Sequence, residues 1–571
     1  MNEFIIFTLI LLGIIALIMF LQFINSKRDD KLYLLRLKNE FGKVNRSSYD
    51  RDRLVFADAY HKRHKNTDSL DDITWSDLSM DEIIACIDTT ESEEGRQVLY
   101  HMLRTPLSVP DKVYSRRRII DFFRDNEDIR SNILIALHHI GRMKKTSVYD
   151  MIEGMEDIKK DSFISYYVRT ALLVAAFGSI YLLSGVGVII FLVVLISNIY
   201  VYYKDRTGIL PYMKVYSHIL RLTESSETVF KALKDSNVSN ADIKELTDGF
   251  EETLVNLKRL RNSSRIALGS ELGSNPFYVL FNLVGIIFFA DIIRFWKIKD
   301  ELIARKDDID RLIFMTGSLD ALIAMAGYVQ SISGHMAEAV FRDSDEMILG
   351  ELYHPLIENA VPNSLKIGKS ILLTGANASG KSTFLKSVAL AAIYAQTLGY
   401  VCADKYESPV CLVSSAMSLK DDVTEGDSYY MAEIKAVKRM IDRCPGAGDD
   451  NRDTKVIHLC FVDELLNGTN TEERIAACTQ ILKYMDAKGI RVMAATHDAE
   501  LTTLLNGQYE NYHFEEDLSE GDVRFSYKLL CGEAVSRNAI RLLESLGFDN
   551  ELTAEAEKMV KIHRDEGVWK S

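Results

Sequence analysis

Ser370-Ile-Leu-Leu-Thr-Gly-Ala-Asn-Ala-Ser-Gly-Lys-Ser-Thr-Phe-Leu385 is the stretch on which the fold turns. A short apolar strand runs straight into Gly375-Ala376-Asn377-Ala378-Ser379-Gly380-Lys381-Ser382, and Thr383 opens a helical pattern. The spacing is G-x-x-x-x-G-K-S in a strand–loop–helix setting. The glycines let backbone N–H groups turn inward around a phosphate, and the helix N-terminus adds partial positive charge. Residues 375–383 are therefore the candidate nucleotide-binding set. Lys381 is spaced to reach the β- and γ-phosphates, and Ser382 to ligate Mg²⁺. The implied cofactors are ATP and Mg²⁺.

Two later strands complete such a site. Val456-Ile-His-Leu-Cys-Phe-Val-Asp463-Glu464 is an apolar run ending in two acids. Asp463 is the candidate Mg²⁺ ligand, and Glu464 the candidate base that orients or deprotonates a water. Arg491-Val-Met-Ala-Ala-Thr-His497-Asp498 ends in a polar cluster, and His497 is a candidate partner for the γ-phosphate. Beyond about residue 350, short β-branched strands alternate with helices, which predicts an α/β domain with a mostly parallel sheet.

The chain upstream reads as helical. Residues 70–160 carry capping-type starts and breaks at Pro106 and Pro110. Residues 208–272 are charged, with apolar positions at three-to-four spacing, and 300–345 predict another long helix. Eight prolines in 571 residues agree with long helices. The net charge of −14 excludes a charge-driven nucleic-acid coat. The seven cysteines form no C-x-x-C pair, which argues against a zinc ribbon or disulfide framework.

Residues 4–24 are apolar except for Thr8 and Gln22. At about 1.5 Å per residue they match a hydrocarbon core of roughly 30 Å and predict a membrane anchor. Residues 27–65 hold 12 Lys/Arg against 6 Asp/Glu, which places the rest of the chain on the cytoplasmic side. Residues 170–203 carry no charge. They are too long for one untilted span, and Ser184-Gly185 can turn, so a hairpin of 163–183 and 186–203 is expected. Arg169 lies near enough to the end of the first arm to snorkel. Residues 277–290 read as a buried core helix, being short for a crossing.

The motifs together resemble the MutS mismatch-repair ATPase family. Leu373–Leu385 looks like its phosphate loop, including the internal Asn377. Phe461-Val-Asp-Glu-Leu-Leu-Asn-Gly-Thr-Asn-Thr471 resembles the family's DE-x-x-x-GT-x-T, and Ala495-Thr-His-Asp-Ala-Glu-Leu501 its ATH-x-x-EL. Residues 422–433 resemble the signature loop and helix, and 512–516 and 527–532 the closing strands. Weaker likenesses reach back to 90–123, Leu319-Asp320 and His354-Pro355. Only a membrane segment and a short stretch precede the core here, where the family carries mismatch-reading and connector domains. The resemblance implies a homodimer in which Ser428 of one subunit completes the other's site, with Asn467, Gly468 and Thr469 near the interface.

The expected fold class is mixed: an N-terminal transmembrane helix, an all-α core and lever interrupted by a transmembrane hairpin, and a C-terminal α/β P-loop ATPase of the ABC type. The division is an anchor (1–26), a basic juxtamembrane segment (27–69), core (70–162), hairpin (163–204), core and lever (205–349), ATPase (350–548) and a helical tail (549–571). The expected function is a membrane-anchored ATPase whose dimer opens and closes on DNA. The alternative is a membrane-associated mechanical ATPase acting on a protein or membrane partner. An exporter fits poorly, because residues 425–428 read Glu-Gly-Asp-Ser rather than a transporter-type signature.

Overall fold

The computed structural model describes residues 28–43, 55–143, 146–158, 164–235, 241–264, 285–332, 334–376, 379–417, 429–444, 455–466, 469–517, 524–533, 540 and 548–566. The expected anchor over 4–24, Asn377 and Ala378, Ser428 with the rest of 422–428, Asn467 and Gly468, and residues 277–284 lie outside them.

The helical part contains α1 (Glu93–Arg104), α2 (Pro110–Asp125), α3 (Ile164–Leu183), α4 (Gly185–Asp235) and α5 (Lys306–Ser331). Helix α1 starts where the Ser92 hydroxyl oxygen accepts from the Gly95 N–H at 3.0 Å. The buried Asp320 carboxylate of α5 reinforces this cap. It accepts from the Ser92 N–H at 2.8 Å and from the Ser92 hydroxyl at 2.6 Å. An acceptor here meets N–H groups that the helix cannot satisfy itself.

Helices α1 and α5 approach through glycines. A Cβ on Gly95 would stand 2.1 Å from Asp320 Oδ2, and one on Gly317 would stand 2.6 Å from the Glu94 carbonyl oxygen. Gly95→Ala is therefore expected to overpack the crossing at a cost of about 1–3 kcal/mol. A thermal melt checks this, and an unchanged midpoint would show that the two helices separate freely. Helix α4 is tied into the same core. His218 meets Glu94 at 2.6 Å with both side chains buried, and the Ser226 and Thr316 hydroxyls lie 2.8 Å apart.

Helix α4 is one element of 51 residues, about 75 Å long. It runs past Tyr203, where the second hairpin arm was expected to end, and contains Pro211. Lys204-Asp205-Arg206 changes the environment of the helix, not its backbone, so no stop signal lies there. The break between α3 and α4 falls at Ser184, whose φ is +46°. The arms pack antiparallel: Asn198 Nδ2 donates to the Arg169 carbonyl at 3.3 Å, and the Tyr166 hydroxyl donates to Asp205 at 2.9 Å.

Among the described residues, three helices are long and apolar enough to cross a membrane by length and composition: α3, α4 and α5. In α3 and α4 only 17% of the most apolar window is buried, whereas in α5 the figure is 94%. Helix α5 is thus a core helix. The single helix expected over 300–345 is divided instead. Ala290–Ala304 and α5 are separate helices, and strand β1 (Ala337–Phe341) follows the turn at Gly334, whose φ is +99°.

From β1 onward two sheets form. The smaller has β2 (Met347–Leu352), β3 (Asn363–Ile367), β5 (Tyr400–Val401) and β6 (Lys405–Ser408) in the order β3-β2-β6-β1-β5. The larger contains β4 (Ser370–Thr374), β7 (Val410–Ala416), β8 (Val456–Asp463), β9 (Arg491–Thr496), β10 (Tyr509–Asp517) and β11 (Arg524–Cys531). Its order is β11-β10-β4-β9-β8-β7, parallel except for the β10–β11 pair. All five strands of β4 and β7–β10 run the same way, so β4, β8 and β9 end together on one sheet edge. Helices α6 (Lys381–Thr397), α7 (Tyr429–Asp442) and α8 (Thr471–Ala487) connect them.

The helical core grips this domain through buried polar contacts. Asp77 accepts from the Ser415 hydroxyl at 2.6 Å, Arg439 and Arg443 of the α7 region both reach Asp71, and the Tyr328 and Tyr394 hydroxyls lie 2.9 Å apart. All seven cysteines are free thiols.

Candidate functional site

Strand β4 ends at Thr374, and α6 begins at Lys381, so the intervening loop lies at the C-terminal edge of the sheet. Gly375 has φ +142° and Gly380 φ +104°, left-handed backbone that other residues rarely adopt. A Cβ on Gly375 would stand 2.9 Å from the Phe514 carbonyl oxygen, and one on Gly380 would stand 3.1 Å from the Tyr527 ring. The loop is therefore wedged between α6 and the β10–β11 hairpin.

Lys381 is buried, and its ammonium donates to the carbonyls of Gly375 and Ala376 at 2.8 Å each. The Ser379 hydroxyl is buried and has no hydrogen-bond partner among the described residues. Such an oxygen costs free energy unless something supplies a contact, and a phosphate oxygen is a suitable acceptor. Ser382 and Thr383 open α6 and line the same cavity of about 560 Å³ as Lys381, Asp463 and Glu464.

Asp463 closes β8. Burial raises its carboxyl above the usual range, and the adjoining Glu464 pushes the same way. A hydrogen bond from Ser382 and the charges of Lys381 and Lys386 act in the opposite direction. A hydroxyl and a carboxylate side by side form a hard oxygen donor pair that suits Mg²⁺, a cation that usually keeps waters and takes one or two protein carboxylates plus phosphates. Among the described residues, no group of three or more His, Cys, Asp or Glu side chains is placed to hold a metal ion alone.

Glu464 sits just past β8 with φ +51°, and its N–H donates to the Ala495 carbonyl at 2.9 Å. That bond extends the pairing with β9 by one residue. It brings the Glu464 carboxylate to 3.5 Å from His497 Nδ1. His497 is beside Glu464 and is not among the residues lining the cavity. Its turn is fixed by Asp498, whose N–H donates to the Thr496 hydroxyl oxygen and whose carboxylate takes two bonds from Arg474 of α8 at 2.7 and 3.0 Å. No sequence motif assigns a role to Arg474; its place one turn into the helix after Asp463-Glu464 is the available signal.

The outer wall of the cavity carries no sequence motif. Tyr353, His354, Ile357 and Val361 form it, together with Tyr527 from β11. His354 is neutral near pH 7, because burial lowers its pKa to about 4. Asn363 joins the two walls: its amide donates to the Tyr527 carbonyl at 2.9 Å and accepts from the Leu529 N–H at 2.8 Å. These residues are scattered over two segments with no motif spacing, so only the fold brings them together.

A parallel sheet with a glycine-bounded loop, a buried lysine and an acidic strand end facing one cavity is the arrangement expected of a nucleotide-binding domain. Residues 371–563 match the family model for MutS domain V. The chain is 28% identical over 273 residues to the DNA mismatch repair protein MutS of Streptococcus thermophilus, covering 45% of this chain and 31% of that protein. For MutS of Streptococcus suis the figures are 28% over 284 residues, 47% and 32%, and for that of Streptococcus pyogenes serotype M1 28% over 265 residues, 44% and 30%. Over this region the chain is similar to the MutS family. The match spans about a third of the length of these curated relatives.

Proposed function

We propose that the chain is a membrane-anchored, MutS-like ATPase whose homodimer opens and closes on DNA as ATP is bound and hydrolysed. The observation that carries this reading is the convergence of Lys381, Ser382, Asp463 and Glu464 on one cavity at the sheet edge. Residues 375–383 hold the phosphates, with Lys381 as the cation. Ser382 and Asp463 hold Mg²⁺, which when bound neutralises charge on the β- and γ-phosphates. Glu464 orients and deprotonates the attacking water, and His497 steadies that carboxylate on its γ-phosphate side. Tyr527 and the 353–361 segment enclose the rest of the nucleotide.

Ser428 acts in trans, with Asn467, Gly468 and Thr469 near the dimer interface. Helix α7, which follows Ser428 directly, is held by Arg439 and Arg443 on Asp71, so the helical core fixes the support of that signature. Ser428→Ala is expected to lower turnover without abolishing nucleotide binding. Mixed with a Lys381→Ala subunit, it restores at most one working site per dimer. Equal loss in a strictly monomeric preparation would remove the in-trans role.

The exposed α3–α4 hairpin favours a second reading, in which the partner is a protein or the membrane itself. The apolar side chains of its tip face outward; Tyr181 is 93% exposed. The deciding measurement is the ATPase rate of detergent-purified protein with and without homoduplex, mismatched and branched DNA at two salt concentrations. Stimulation that fades with salt marks phosphate contacts and supports the DNA reading. No stimulation over a competent basal rate transfers the function to the second reading.

A further inference from the structure

The turn after β9 places His497 between two carboxylates. Its Nδ1 lies 3.5 Å from Glu464 Oε1, and its Nε2 lies 3.9 Å from Asp498 Oδ1. Only Glu464 has a part in the proposed hydrolysis, so the ring is useful only while it stays on that side. Arg474 of α8 bears on the other acid. Its Nη2 donates to Asp498 Oδ1 at 2.7 Å and its Nε to Oδ2 at 3.0 Å, with both side chains nearly buried. Two parallel N–H···O bonds from a planar fork fix a carboxylate in direction as well as in place. The oxygen that Nη2 holds is also the one nearer His497.

Both ends of this clamp are tied down. Helix α8 is capped by Asn470, whose side chain accepts from the Glu472 N–H at 3.3 Å. One turn beyond Arg474, the Cys478 thiol donates to the carbonyl of Leu465 at 3.3 Å, so α8 is fastened to the residue that follows Glu464. Asp498 in turn is held by its N–H bond to the Thr496 hydroxyl oxygen at 3.0 Å. Without Arg474, Asp498 keeps a nearly buried charge and loses the cation that compensates it. The imidazole of His497 can then turn toward Asp498 and away from Glu464. We propose that Arg474 is a positioning residue for ATP hydrolysis: by saturating Asp498 it keeps His497 on Glu464. The proposal rests on the reading of Glu464 as the base that activates water. A pair that served stability alone would move the melting temperature and leave turnover by the folded protein unchanged.

The test is ATP turnover by the detergent-purified full chain, with ATP affinity from titration calorimetry and a thermal melt for each variant. Arg474→Met is expected to lower kcat roughly tenfold to a hundredfold, since a misplacement of about 1 Å can cost about a hundredfold. ATP affinity is expected to stay at its wild-type value. Arg474→Met/Asp498→Asn also removes the competing charge. It is expected to run several-fold faster than Arg474→Met, a non-additivity that two independent losses would not give. A folded Arg474→Met protein with wild-type kcat overturns the proposal, and so does a double variant slower than the single one. Arg474→Lys decides the matter if the unpaired acid unfolds Arg474→Met. It keeps the charge without the fork, so its kcat is expected to fall several-fold, and wild-type kcat there overturns the proposal. Glu464→Gln separates the two levels of the argument. Turnover at the wild-type rate in Glu464→Gln removes the reading of the base. An inactive Glu464→Gln beside an undiminished Arg474→Met removes only the positioning role.

Discussion

Glu464→Gln stops ATP turnover and leaves nucleotide binding intact. The amide keeps the size of the carboxylate and an oxygen that can still face His497, but it cannot take a proton from water. A positioned base contributes about a hundred- to ten-thousand-fold in rate, and that is the expected drop in kcat. The side chain leaves the backbone where it is: the left-handed φ of +51° and the N–H bond to Ala495 do not depend on the carboxylate charge. Lys381, Ser382 and Asp463 are untouched, so the dissociation constant for ATP with Mg²⁺ stays at its wild-type value. A protein that binds ATP and cannot hydrolyse it accumulates in the closed form, so ATP shifts the variant to a dimer on size exclusion. Hydrolysis at the wild-type rate would place the base elsewhere.

The parts of this site that the sequence makes legible are those where one local pattern carries both structure and chemistry. Strands β4, β8 and β9 are apolar runs that stop at Thr374, Asp463 and Thr496, and the stop is itself the polar residue. Pattern reading fails where a residue's neighbours come from far along the chain. Tyr527 and Val361 share a cavity across more than a hundred residues, and Arg474 meets Asp498 only because α8 packs beside β9. Hydropathy misleads in two further ways. It ends the second hairpin arm at Tyr203, because charge begins there, although the backbone of α4 continues to Asp235. It also makes α5 look like a membrane span, when its apolar surface is consumed by packing on α1 and α2. Gly95 and Gly317 show why α5 packs so closely, and nothing in their local sequence announces it.

Lys381→Ala has the opposite signature: nucleotide binding is lost first. The lysine is the buried cation of the loop, held at its mouth by two carbonyl oxygens at 2.8 Å. Truncating one member of a buried, hydrogen-bonded charge pair costs about 2–5 kcal/mol, so ATP affinity is expected to fall by at least about thirty-fold. A second effect adds to it. The Lys381 charge pulls the Asp463 carboxyl down against the burial that raises it. Without that charge Asp463 holds its proton more readily, and Mg²⁺ affinity falls with it. Raising the pH then recovers part of the lost metal affinity in the variant, since deprotonation restores the ligand, while the missing phosphate contact stays missing. Titration calorimetry with ATP, with and without Mg²⁺, at two pH values resolves both losses, and a melt checks that the variant is folded. Wild-type ATP affinity in a folded Lys381→Ala protein would mean that residues 375–383 are not the phosphate cradle, and the metal role of Ser382 and Asp463 would fall with them.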